Sequence, residues 1–240
     1  MLEWLRDIFW PKPRKAALVW LPKGTPSPEV HGISPPGSQE DIQAPLQWLD
    51  PSTTPFSTPV LDCRSITRGV VSTAQDQATL DRYAALRNDA GEHLGRAGAD
   101  ELHTTVCDLA YPLEPGVTAL PEGRRYSSRR LEYKWDIAHW DGHLLFSRSW
   151  TGALVYRCRA EVVGSTLRIH TIETPVLDDI RPASDAFVRA AVDFLVRALL
   201  MGQVTPHPMP EIFGDDLRAY AVWSFREFGC DARFGFLVPP

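Results

Sequence analysis

The chain has 240 residues, 44% hydrophobic and 23% charged, enough apolar material for one large core or two modest ones, so disorder throughout is excluded. Thirty acidic side chains against 25 basic ones leave a formal charge of -5, the wrong sign for gripping phosphate backbones, and nucleic acid is not expected as a partner. No apolar run approaches the ~20 residues of a membrane-spanning helix, and Glu3, Arg6 and Asp7 break the opening stretch where a secretory signal would be apolar, so the expected location is the cytoplasm.

Residues 1–10 have the spacing of a short helix, with Leu2, Leu5 and Phe9 on one side, Trp4 and Ile8 beside them, and Pro11 and Pro13 as its stop. Such a helix needs something to pack on. The expected support is its own domain; the alternative is an anionic membrane surface or a partner, reached with Lys12, Arg14 and Lys15. Ala16 to Leu21 reads as a strand. Pro22 to Pro59 is dense in proline and reads as an extended arm, pinned by Leu46, Trp48 and Leu49. The expected division is a helix and arm over 1–55 and a single α+β domain over 56–240.

In that domain Val60 and Leu61 open a short strand that reaches Cys63. Ser72 and Gln75 form a capping-box pattern for a helix running to about His93, with Leu80, Tyr83 and Ala84 inward. Gly91, Gly95 and Gly98 end it, and Leu102 to Ala110 alternates as a strand.

The most informative stretch is 131–172, where turn signals recur at intervals suited to a four-stranded antiparallel meander. Asp141-Gly142 is a two-residue turn that sets Trp140 opposite His143, His139 opposite Leu144, Ile137 opposite Phe146, and Trp135 opposite Arg148. Trp150-Thr151-Gly152 is expected to close the next hairpin as a three-residue loop with left-handed Gly152. Gly164-Ser165 closes the third and sets Ala160 against Ile169 and Glu161 against Arg168. One face then gathers Trp135, Ile137, His139, Leu144, Phe146, Tyr156, Cys158, Ala160, Leu167 and Ile169 as a core. The other gathers Asp136, Ser147, Ser149, Arg157, Arg159, Glu161, Arg168 and His170, with Trp140, Leu145 and Val155 among them, and only the first face is expected to be fully buried.

Ser184 to Gly202 is the expected cover for the apolar face. Asp185, Arg189, Asp193 and Arg197 recur every four positions on it, an ion-paired stripe on an otherwise apolar helix. A last helix over Asp215 to Phe228 buries Leu217, Tyr220, Ala221 and Phe225 or Phe228, with Gly229 at its end. The fold class is therefore α+β: an antiparallel sheet around the meander, with helices packed on one face.

No motif of high chemical specificity is present: there is no G-x-S-x-G, Walker loop, H-E-x-x-H or G-x-G-x-x-G. His139 and His143 have a tempting metal-ligand spacing, but a turn at Asp141-Gly142 points them to opposite faces, and neither metal nor cofactor is expected. Cys63, Cys107, Cys158 and Cys230 lie too far apart in sequence for a C-x-x-C site and read as reduced thiols. Arg148, opposite Trp135, reads as a cation-aromatic pair, or else, with His139 and Trp135, as the wall of a pocket. Arg124, Arg125, Arg129 and Arg130 form the densest basic run and read as solvated surface.

The functional expectation is a non-enzymatic cytosolic module that binds another protein through the half-polar sheet face, with Trp140, His143, Arg157, Arg159, Arg168 and His170 as contacts; a bacterial toxin-neutralising inhibitor is one version. The alternative is a hydrolase or transferase. It requires at least two of His139, His170, Cys63, Cys107, Asp108 and Arg148 to line one pocket.

Overall fold

The computed structural model describes residues 37–72, 77–88, 101–176 and 184–239. The helix expected over 1–10, the strand at 16–21 and the start of the proline-rich arm lie outside them. In chain order the described residues form α1 (Gln39–Gln43), β1 (Trp48–Leu49), β2 (Val60–Asp62), α2 (Arg64–Thr67), α3 (Gln77–Asn88), β3 (Leu102–Pro112), β4 (Gly123–Tyr126), β5 (Trp135–Trp140), β6 (His143–Arg148), β7 (Leu154–Val163), β8 (Thr166–Pro175), α4 (Asp185–Leu195), β9 (His207–Pro210), α5 (Leu217–Phe228) and β10 (Phe234–Val238). The class is α+β, and no helix among the described residues is long and apolar enough to cross a membrane.

The meander is the centre of a six-stranded antiparallel sheet in the order β3-β8-β7-β6-β5-β4. Asp141 and Gly142 both take positive φ, 49° and 73°, the mirror-image turn whose twist matches the flanking strands, and the β5–β6 register follows the expected pairs from Trp140↔His143 to Trp135↔Arg148. Gly164 is also left-handed, and Ala160↔Ile169 and Glu161↔Arg168 pair as expected.

The middle hairpin differs from expectation. Arg148 N–H donates to the Ala153 carbonyl at 2.9 Å and Ser147 pairs with Leu154, so four residues, Ser149 to Gly152, make the loop. A bulge then takes up Val155 and restores Phe146↔Tyr156 and Leu145↔Arg157. The hydrophobic alternation fixed the register beyond the bulge; the loop was free to be longer because one extra residue repairs the phase.

Trp135, Ile137, Leu144, Phe146, Tyr156, Cys158, Ala160, Leu167, Ile169 and Ile172 form one cluster with Val188, Ala191, Val192, Phe194 and Leu195 of α4. Ser184 caps α4, which passes at Val196 into a π-helical turn over Val196–Leu200. Its polar stripe is ion-paired within the helix only at Asp193 and Arg197, 2.9 Å apart. Asp185 instead accepts from Thr105 Oγ1 (2.6 Å) and His103 Nε2 (3.1 Å), and Arg189 donates to the Val106 carbonyl (3.4 Å), tying α4 to β3.

The reverse face is not open throughout. Over β5 and β6, Asp136, Ala138, Leu145, Ser147 and Ser149 are buried. Arg87 of α3 reaches this face and pairs with Asp136. Of the three α3 residues expected inward, Tyr83 is buried, whereas Leu80 and Ala84 are exposed. This helix docks through polar groups, which an apolar periodicity does not register.

A second sheet, in the order β1-β2-β10-β9, carries one parallel pair, β9 with β10. Its cluster, Leu61, Cys63, Met209, Tyr220 and Ala221, is joined by Leu46 and Leu217. Leu49 and Trp48 pair with Val60 and Leu61.

Candidate functional site

The registers carry five of the six expected contact residues, and their neighbours, into rows across the reverse face. Trp140 pairs with His143, His143 with Arg159, Arg159 with Thr171, and Thr171 with Val106, one row across five strands. Ala138, Leu145, Arg157, Glu173 and Thr104 make the next row, and Glu161, Arg168 and Ala110 lie beyond the bulge that sets His170 between Arg168 and Thr171. Thr104, Val106, Asp108 and Ala110 of β3 and Arg159 and Glu161 of β7 are exposed, with Val106 at 73%. Over β3, β8 and β7 this face meets solvent; over β5 it meets α3.

Most of its basic side chains hold a carboxylate. Arg157 pairs with Glu173, Arg168 with Asp108 at 3.0 Å, and His170 Nε2 donates to Glu161 at 2.7 Å. Arg159 is different: among the described residues it has no ion pair. Its row neighbours are His143, whose Nδ1–H donates to the Asp141 carbonyl at 2.8 Å, and Thr171. The cross-strand acid Glu161 was legible in the sequence, but Asp108 and Glu173 needed the β3–β8 and β7–β8 bulges, which shift pairing by amounts no local pattern gives.

The other candidates have structural partners. Arg148 lies over the Trp135 ring at 4.5 Å, as the cation-aromatic reading expected; it donates to the Glu227 carbonyl at 2.6 Å and pairs with the Glu227 carboxylate. Trp135 Nε1–H also donates to the Glu227 carbonyl, 2.9 Å, so both residues serve the C-terminal end of α5, where a cation is favoured. His139 is buried, donates from Nδ1 to the Pro121 carbonyl (3.3 Å), and is held below its ordinary pKa by burial.

The groups that an enzyme would need are dispersed. Cys63 belongs to the small cluster, Cys107 donates to the Ile169 carbonyl, Asp108 and His170 sit in surface ion pairs, and Arg148 of β6 is held against Glu227 at the end of α5. All four cysteines are thiols, and burial pushes each pKa up, that of Cys63 to about 12, so none is poised as a thiolate. One pair missed by sequence reasoning resembles a base and a nucleophile: His207 Nε2 is 2.7 Å from Ser224 Oγ, which donates to the Tyr220 carbonyl at 2.8 Å. Both are fully buried, His207 lies between Phe194 and Phe228, and burial lowers its pKa to about 3, so the pair joins helix to strand away from any substrate. Among the described residues no group of three or more His, Cys, Asp or Glu is placed to hold a metal ion. No family model matches this sequence, and comparisons with curated proteins and with solved structures found no match.

Proposed function

We propose that the chain is a protein-binding module that acts without catalysis, and that its contact surface is the open face of β7, β8 and β3 with Trp140 and His143 at the margin. One observation carries the reading. Three strands present a solvent-facing array of paired charges around a single cation, Arg159, that has no acid of its own among the described residues. Paired surface charges contribute little to stability but orient an incoming partner, and Arg beside aromatic rings is enriched where proteins meet.

Size agrees. Three strands about 4.8 Å apart and about 33 Å long offer roughly 500 Å². A standard interface takes ~800 Å² from each partner, so a stable complex must also use the row toward His143 and Trp140. A carboxylate on the partner would meet Arg159, and the neighbouring ion pairs would reject a uniformly charged surface. The test is the double substitution Arg157→Glu with Arg159→Glu. Circular dichroism and the thermal midpoint should remain those of the native chain, while the polypeptide that copurifies with the native chain from its host is no longer captured. Undiminished capture would refute this surface.

A further inference from the structure

The large sheet ends in an open edge. β3 closes the strand order, and Thr104 and Val106 are exposed along it. Val176 N–H donates to the Glu101 carbonyl at 3.0 Å, so in the regular run before the bulge the odd-numbered residues bond β8. Leu102, Thr104 and Val106 therefore turn their N–H and C=O groups away from the sheet, and Arg189 of α4 meets the Val106 carbonyl there at 3.4 Å. Natural edges are blunted by lysine or proline. Leu102 to Val106 contains neither, and among the described residues no strand pairs with this edge.

The run is self-complementary. An antiparallel pairing with a second copy of the chain, centred on Thr104, sets Thr104 against Thr104 and Leu102 against Val106, which covers the 73% exposed Val106 with an apolar neighbour. Charges match as well. On the α4 side, His103 comes opposite Thr105 of the second copy, whose hydroxyl donates to Asp185, so a second carboxylate stands beside His103. Glu101 comes opposite Cys107 of the second copy, next to the Arg189 that meets Val106. Neither Glu101, which is exposed, nor Arg189 holds an ion pair among the described residues. We propose that β3 is a homodimer edge: the Leu102 to Val106 runs of two copies pair antiparallel about Thr104 and join their sheets into one. The inference rests on the main chain of the edge and on charges of the α4 side, so it stands or falls apart from the reading of the reverse face.

A paired edge this short buries less than the ~1,000 Å² of a stable interface, so the dimer forms weakly and reversibly, at roughly 100 µM chain. Sedimentation velocity on the full chain between about 5 and about 500 µM tests this, with a shift from monomer to dimer expected by mass action. Thr104→Pro removes an outward N–H at the axis without touching the β8 ladder, and should weaken dimerisation at least about tenfold with the circular dichroism unchanged. Glu101→Arg should weaken it about threefold or more, and adding Arg189→Glu to that variant should restore association. If the proline variant does not fold, the charge pair decides. A native chain that stays monomeric throughout the range, whether its edge is open or covered by another segment, would overturn the proposal. So would a dimer that a folded Thr104→Pro variant or Glu101→Arg leaves unchanged.

Discussion

Trp135 shows how much one side chain of this sheet must satisfy. It is 2% exposed, stacks on Tyr156 at 5.8 Å, carries Arg148 above its ring, and anchors the end of α5 through its indole N–H. Trp135→Ala should cost about 3–5 kcal/mol in urea unfolding, while Trp135→Phe, which keeps the stack and loses the hydrogen bond, should cost less. The Trp135–Arg148 pairing was legible because both sit in one hairpin with a strong turn signal. Their shared acceptor, Glu227, lies 79 positions beyond Arg148, and no local pattern links them. Asp231 gives a second test at this scale: burial raises its carboxyl pKa from 3.8 to about 6, partly opposed by Arg233 and Arg68. A raised carboxyl favours the folded state below pH 3.8, and this contribution is lost as pH rises through about 6, because the fold must then hold a buried anion. Acid destabilisation through His207 runs the other way, so the readout is a difference. Between pH 4 and pH 6 the stability of Asp231→Asn should rise more, or fall less, with increasing pH than that of the native chain, measured by chemical unfolding across that range; identical slopes would show that Asp231 contributes nothing there.

Among the elements, the hairpins of the meander were readable because alternation and turn chemistry act over a few residues. The junction of α5 with the large sheet was not. Gly229 ends α5 at φ 78°, and a Cβ there would lie 2.2 Å from the Glu132 carbonyl, beside the Tyr133↔Gly229 bridge. Gly229→Ala combines backbone strain with a clash against main chain and should cost more than the ~1 kcal/mol of an ordinary left-handed position, as a fall in thermal midpoint with the secondary structure retained. The sequence offered Gly229 only as a helix stop. The small sheet escaped for a related reason: β9 reads His-Pro-Met-Pro, which lacks strand alternation, and its parallel partner β10 follows a complete helix. The π-helical turn after α4 left no mark either, since its residues continue the apolar run of the helix. α3 was legible as a helix but its docking was not, because Arg87 and Asp136 carry no hydrophobic signal.

At the scale of the whole molecule, two apolar clusters meet along α5, where Tyr220 and Ala221 face the small cluster, Phe228 faces the large one, and Trp223 packs on both. Sidedness is the consequence. α4 and α5 close one side of the large sheet, α3 closes part of the other, and the strands farthest from α3 keep their charged rows in solvent. Composition alone gave a net negative chain; the registers show that the positive residues of this face are matched locally, with Arg159 as the exception. The most direct test compares two single charge reversals of exposed arginines, Arg159→Glu in the open rows and Arg218→Glu on the outer side of α5. In parallel affinity capture from the native host, Arg159→Glu should lose most of the partner, on the order of tenfold or more, and Arg218→Glu should keep it. Equal capture by both variants would show that the open rows around Arg159 are not the contact surface.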